Sequence, residues 1–566
     1  MLSIAIAVVF GLVAVYPLVR VALGVVVQDG QFTLAPLTQL FEVPKVWETV
    51  SNTIIVVVVS GTLALVIGGV LAWLNERTDA RIGTFSDSLP LITYLVPPLA
   101  GAIGWALLLS PTAGLLNGFL RGIGGIWGDA AQTGPLNIFS WPGLIFVYTL
   151  YSIPYAFMAV SAGLRNTDTS LEEQSRVSGA GLLGTIWRVT IPSIRPALGG
   201  AVILMVTQGL ALYSVPLIIG TGANIQVLSV AIVELLNFSY PPQMVQAVGL
   251  TLIMVVLVMI TWVIQRRILR SARFGTIGGK GQRYEVLNLK GWRPVARAAF
   301  IVYGALGVAL PIFALIIVSL QGFWSATINW STLTIDWFVK AVFGTPQTMT
   351  ALGNSLTLAV VGATLGMLIA AIVSVLVARN RTRWATAIDS AIKLPSVVSH
   401  IVIGVGMILA FAGPPFSLGG TLTILLIAYL VVYLAQGSVS TDAAVAQVGS
   451  DLAEASAIAG AGYGRTFFRI YMPLILPSMV AGWAYLFARM AGDLTVTALL
   501  GSPSNITVGY LMMQISHNGS FGQLAPIAIV LTVVSAVVVI TVLTVSNRWS
   551  RRRIRKPQGV GRAVAN

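Results

Sequence analysis

Few residues of this 566-residue chain are equipped for chemistry, and their spacing narrows the options further. The absence of cysteine removes disulfides, Cys-ligated zinc, iron–sulfur clusters and thiol nucleophiles. The two histidines, His400 and His517, stand far apart, and no cluster of His, Asp or Tyr has ligand spacing, so neither a metal site nor a cofactor is expected. The stretch GTIGGKG is a phosphate loop only in outline: Phe274 occupies the first glycine position of a Walker A motif, and Gly281 stands where Ser or Thr must follow Lys280. No catalytic residues are expected. Arg489 and Asp493, four residues apart in an apolar stretch, would share one helical face, as a structural ion pair or as part of a polar path. The most specific pattern is an acid, a glycine and a proline at one fixed spacing that occurs twice: Glu173, Gly179, Pro192 and Glu454, Gly460, Pro473.

The elements that must position these residues are membrane helices. Apolar residues make up 56% of the chain and charged ones 9%, against roughly 25% charged in an average soluble protein. That is too little charge to cover several soluble surfaces, so an all-α polytopic membrane protein is predicted. Apolar runs of about 20 residues fall near 1–27, 51–74, 90–110, 142–164, 194–220 and 244–265, and again near 296–320, 353–378, 390–412, 421–440, 475–500 and 524–546. About twelve transmembrane helices result. The first run lacks a basic leading region and a small-residue cleavage site, so a retained helix is expected there rather than a signal peptide. Met1 leaves almost no tail before it, which keeps an upstream start open.

The net charge of +15 would suggest a nucleic-acid partner in a soluble protein. Here it follows the positive-inside rule, and no nucleic acid is expected. With a cytoplasmic N-terminus, all but five of the 33 Lys and Arg fall in cytoplasmic segments, the exceptions being Arg20, Lys45, Arg121, Lys340 and Arg489. Both termini are therefore predicted in the cytoplasm of a multi-pass protein of the inner (plasma) membrane, surrounded by lipid.

A basic stretch divides the spans six and six. The predicted domains are a first membrane domain 1–265, a cytoplasmic linker 266–297, a second membrane domain 298–547 and a basic tail 548–566. The halves are related: Leu171–Pro196 aligns without gaps to Leu452–Pro477 at an offset of 281, with eleven of 26 positions identical. Ser51-Asn52-Thr53 and Gly353-Asn354-Ser355 open comparable helices in the two copies.

Each repeated segment lies in a cytoplasmic loop between the fourth and fifth spans of its half. Leu182, Leu183, Ile186, Trp187 and Thr190 form an apolar stripe at helical period, as do Tyr463, Phe467 and Phe468. Gly179 and Gly460 separate two short helical stretches and can turn the chain with φ > 0. Glu173 and Glu454 sit in a first turn, where the helix dipole favours an acid. Pro192 and Pro473 are expected to stop the second stretch before the chain re-enters the membrane. A helix lying on lipid needs no fixed Glu-to-Gly-to-Pro spacing, so two copies point to a docking element.

EEQSRVSG…VTIP and EASAIAG…IYMP resemble the EAA loop, Glu-Ala-Ala-x3-Gly-x9-Ile-x-Leu-Pro, of binding-protein-dependent ABC importer permeases of the MetI-like type. Gln174 and Ser175 replace both alanines in the first copy, and the second has Ala455 and Ser456. The resemblance spans nearly the whole chain. It implies two parallel six-helix repeats in one fused chain that supplies both halves of a pore. Its coupling residues would be Glu173, Gly179, Pro192, Glu454, Gly460 and Pro473. The implied partners are ABC ATPase subunits, in two copies, and a periplasmic or lipid-anchored substrate-binding protein. ATP hydrolysis would lie in the partner, so this chain is not expected to be an enzyme. IFVYTLYSIPYAFMAVSAGLRNTDTSLEEQSRVSGAG and VPPLAGAIGWALLLSPTAGLLN look most like ferric iron permeases, whose fused relatives handle thiamine, aminoethylphosphonate and polyamines.

For the path of the cargo, the intramembrane polar residues Gln208, Tyr213, His400, Arg489 and Asp493 are the expected lining. The rival class is a twelve-helix secondary transporter, which would need several buried carboxylates where Asp493 is the one evident.

Overall fold

The computed structural model describes residues 2–554 apart from 29–30, 84, 88, 90–92, 94–95, 123–132, 271–285, 380–381 and 449. The middle of the predicted linker 266–297, the end of the predicted tail 548–566 and part of the predicted span 90–110 thus lie outside the described residues. Among the described residues the regular structure is helical except for a two-residue hairpin, Val27–Gln28 with Gln31–Phe32, and one bridge between Thr78 and Leu287.

The first half runs α1 (Leu2–Gly24), α2 (Val46–Arg77), α3 (Pro98–Leu109), α4 (Trp141–Arg165), α5 (Ser170–Val177), α6 (Leu182–Ser193), α7 (Arg195–Ala211), α8 (Leu228–Asn237) and α9 (Met244–Arg270). The second runs α10 (Lys290–Gln321), α11 (Pro346–Arg379), α12 (Arg383–Ser396), α13 (His400–Ala412), α14 (Leu422–Ala446), α15 (Ser450–Ile458), α16 (Gly464–Ala491), α17 (Thr495–Leu500), α18 (Val508–His517) and α19 (Phe521–Ile554). Nine described helices are long and apolar enough to cross a membrane, or eleven if the bent pairs α6–α7 and α12–α13 each count as one span. That range is consistent with the expected bundle of about twelve, since part of the span expected near 90–110 lies outside the described residues; its described part, α3, has twelve residues. The fifth spans end early: α7 stops at Ala211 rather than 220, and α16 at Ala491 rather than 500.

Beyond those early ends the two halves take the same course. The chain turns back through α8 or through α17 and α18 before the last span of each half. Asn and a hydroxyl residue near the start of the second long helix hold this return in both copies. Asn52 donates to the Gln226 carbonyl and Asn354 to that of Ile506; Thr53 accepts from the Leu228 N–H at 2.9 Å, and Ser355 from that of Val508 at 2.8 Å. These bonds satisfy backbone groups that lipid cannot.

The halves exchange their first helices. α1 packs on α12 and α13 of the second half, and α10 packs on α3 of the first. At each crossing a glycine admits a proline-bearing backbone: a Cβ on Gly104 would lie 2.6 Å from the Pro311 Cα and carbonyl, and one on Gly406 2.6 Å from the Pro17 carbonyl. Small residues permit such close approach between membrane helices, where dispersion rather than water drives packing.

Candidate docking loops and translocation cleft

The first loop is a helical hairpin built by local rules. α5 ends in a Schellman turn: Gly179 takes φ 86°, its N–H donates to the Arg176 carbonyl, and Ala180 N–H donates back to the Ser175 carbonyl. The second copy repeats it, with Gly460 at φ 75° and Ala461 N–H donating to the Ser456 carbonyl. A hydroxyl pair then ties the two arms of each hairpin: Ser175 to Thr185 at 3.1 Å, Ser456 to Thr466 at 2.8 Å. These serines and threonines are identical between the copies, and that identity was the available signal for them, although against the EAA pattern serine reads only as a departure from alanine.

The two prolines behave differently. α6 ends at Ser193, one residue after Pro192, as expected of a stop, whereas α16 runs on through Pro473, against expectation. A π-turn precedes each, Ile186–Thr190 and Phe467–Tyr471, with Ile191 N–H donating to the Ile186 carbonyl and Met472 N–H to that of Phe467. The i→i−5 step shifts the carbonyl register, so the proline ring meets no helical carbonyl it must displace. The first half bends by 74° only after Pro192, between α6 and α7, whereas α16 continues unbroken past Pro473.

The expected apolar stripe divides into two faces. Thr190 and Phe467 turn inward and are buried, while Trp187 and Phe468, at equivalent positions, are 69% and 67% exposed. Val177 and Ile458, another equivalent pair, are 89% and 88% exposed. Glu173 is half-buried and Glu454 exposed. Asp168, just ahead of α5, accepts from the Ser170 N–H at 2.9 Å, and this bond with one from the Ser170 hydroxyl holds its carboxyl below the usual carboxylate range.

The acid that ties the first loop to the bundle is Glu172, which spacing did not single out. Its Oε1 accepts from Arg77 Nε at 3.3 Å and from the Thr190 hydroxyl at 3.1 Å. No repeat signal could find it, because Ala453 occupies its place in the second copy.

Between the halves lies a cleft lined from both sides. The first half contributes Tyr151, Ser152, Tyr155 and Gln208; the second contributes His400, Tyr433, Arg489 and Asp493. Four of the five expected path residues thus meet in one place. Tyr213 does not: it is buried at 1% exposure beside the cleft, between lining residues Leu212 and Ser214. His517 is elsewhere, stacked on Phe238 at 4.0 Å.

Asp493 is not on the helix of Arg489. That helix ends at Ala491, and the Asp493 carboxylate starts the next one: Oδ1 accepts from Val496 N–H at 2.8 Å and Thr497 N–H at 3.3 Å. Oδ2 accepts from the Tyr433 hydroxyl at 2.6 Å. The Arg489 guanidinium lies over the Tyr433 ring, 5.9 Å from its centre, and the His400 ring meets the same tyrosine edge-on at 5.4 Å. On the facing wall Tyr155 donates to Gln208 at 3.0 Å. The cleft is therefore polar on one wall and ionisable on the other.

Among known proteins, the model of the family described as binding-protein-dependent transport system inner membrane component matches the chain twice, over residues 64–274 and 362–556. The ferric transport system permease protein of Actinobacillus pleuropneumoniae is 23% identical over 545 residues, covering 93% of this chain and 75% of that protein. An Fe(3+)-transport system permease protein of Haemophilus influenzae is 23% identical over 528 residues, covering 92% and 94%. The putrescine transport system permease protein of Escherichia coli is 24% identical over 277 residues, covering 98% of that protein and 48% of this chain, as a single unit would against a duplicated one.

Proposed function

We propose, because this chain belongs to the family of binding-protein-dependent transport system inner membrane components, that it supplies both halves of the translocation pathway of an ABC importer for ferric iron. Domains 1–265 and 298–547 form the two halves, joined by the linker 266–297 on the cytoplasmic side. An extracytoplasmic binding protein delivers the cargo. Two ATPase subunits dock on the two hairpins, and their closure moves both hairpins together, rocking the bundles between two states of different cargo affinity. In this arrangement Gly179 and Gly460 shape the docking surface, Glu173 and Glu454 face the ATPase, and Pro192 and Pro473 lie in the arms that carry motion to α7 and α16.

The observation that carries the reading is the repetition of the hairpin in three dimensions: the same left-handed glycine, the same hydroxyl tie and the same pair of exposed apolar residues, Val177 with Trp187 and Ile458 with Phe468. Iron as cargo rests on the two ferric relatives, which match over 93% and 92% of this chain. Tagged chain co-expressed with a Walker-A ATPase and the secreted binding protein from its gene neighbourhood should retain the ATPase through purification, and V177D combined with I458D should release it. Uptake of radiolabelled ferric iron should depend on all three components; competition by thiamine, aminoethylphosphonate or putrescine instead would reassign the cargo and leave the importer class standing. Loss of the binding protein or ATPase without effect on uptake would sink the class itself.

A further inference from the structure

The first docking hairpin is held to the membrane bundle at Arg77, the last residue of α2. Its side chain is 3% exposed, and that of Glu172 is 14% exposed, so this ion pair is shielded from the screening that weakens surface pairs. The guanidinium is a three-way connection. Nε donates to Glu172 at 3.3 Å, and NH2 donates to the Leu164 carbonyl at 2.8 Å and the Thr167 hydroxyl at 2.9 Å, at the end of α4. Glu172 in turn accepts from Thr190 on the second arm, so both arms of the hairpin reach Arg77 through one carboxylate.

The same residue holds the segment that leads to the second half. The Arg77 carbonyl accepts from Leu287 N–H at 2.9 Å, and Asp79 N–H donates to the Leu287 carbonyl at 3.1 Å. Asp79 also accepts from Leu289 N–H at 3.1 Å and pairs with Arg293 in α10 at 3.6 Å. Leu287, Arg77, Glu172, Thr185 and Thr190 line one small cavity. In the second half Arg379 ends α11 where Arg77 ends α2, but Ala453 stands in place of Glu172, so the partner acid is missing from the sequence.

We propose that Arg77 is a positioning residue that binds the first docking hairpin, through Glu172, to the ends of α2 and α4 and to the segment entering α10, so that the ATPase stroke reaches the first half by this clamp. The proposal rests on the reading of the hairpins as docking loops. Its physical content is that a planar guanidinium with several fixed acceptors transmits displacement, where a hydroxyl tie within the hairpin cannot.

Two measurements test it. In the purified chain in detergent, amide hydrogen exchange over Ser170–Val177 should be about tenfold slower than over Ser450–Ile458, and E172Q, which keeps the shape and removes the charge, should abolish the difference. In the chain reconstituted with its ATPase and binding protein, E172Q should lower ferric iron transported per ATP about tenfold with the ATPase still bound, and E172D should recover most of it. Equal exchange in the two hairpins of the wild type overturns the clamp, as does E172Q with unchanged transport per ATP, or E172D as impaired as E172Q. If the wild type fails to hold the ATPase, the docking reading has failed, and the exchange comparison on the chain alone still decides whether the clamp exists.

Discussion

In the first half the docking hairpin hangs from Arg77 through Glu172; in the second, Ala453 stands where that glutamate would be, while the Schellman glycine and the Ser–Thr tie are the same. The cleft repeats the lesson. Tyr148 and Tyr429 are buried equivalents, but Asp493 stands where the first half has Leu212, Arg489 where it has Gln208, and Tyr433 where it has Ser152. Between the two copies the turn glycines, the hydroxyl ties and the Asn contacts of the return are alike, whereas Glu172 and the ionisable residues of the cleft are not. A left-handed turn admits few side chains, whereas an ion pair can be lost from one copy if the other carries the load.

This comparison can be broken or sharpened by experiment. The largest effect is expected at the helix exchange, where the halves are alike. G104L and G406L should each prevent recovery of monodisperse protein from detergent, since a side chain there meets proline backbone at 2.6 Å; a tolerated change at one site would show that only one exchange is required. Next come the cleft walls, where the halves differ. D493A leaves the Tyr433 hydroxyl and two helix-start N–H groups without their acceptor and should cost about 3 kcal/mol together with nearly all transport, whereas L212A should keep most transport. Melting curves and uptake assays separate the two outcomes.

A smaller effect is expected at the turns. G179A and G460A force a side chain into positive φ at about 1–2 kcal/mol each, with open space around both positions. Coupling of ATP hydrolysis to transport should fall further in G460A, whose hairpin has no counterpart of Glu172. Equal losses would argue that the clamp does not share the load. The smallest change is S456A against S175A, each removing one hydroxyl tie worth about 1 kcal/mol. Amide exchange over the hairpin should quicken more in S456A.

Much of the docking hairpin was legible in sequence because its determinants are local. Gly179 and Gly460 announce a left-handed turn, and the distance to Pro192 gives the length of the second arm in the first copy alone. The role of the prolines was not legible, since whether a helix stops at proline or absorbs it in a π-turn depends on the packing around the preceding turn. Glu172 was passed over for Glu173 because the repeat weights what both copies share, while the tie to Arg77 spans 95 residues and belongs to one copy. Asp493 was placed on the helix of Arg489 because an apolar run continues to Leu500; the break at Gly492 is made by the carboxylate capping a new helix.

Composition and periodicity by themselves determined the membrane class, the duplication and the two hairpins, because hydropathy, repeated spacing and glycine geometry act within a few turns of chain. Tertiary structure alone decided the exchange of first helices, the meeting of Gln208 with His400, Arg489 and Asp493 across the halves, and the anchoring of the first hairpin at Arg77. Those features join residues tens to hundreds of positions apart, and in a lipid-facing bundle the apolar pattern that places a helix in the membrane does not specify which neighbour it packs against.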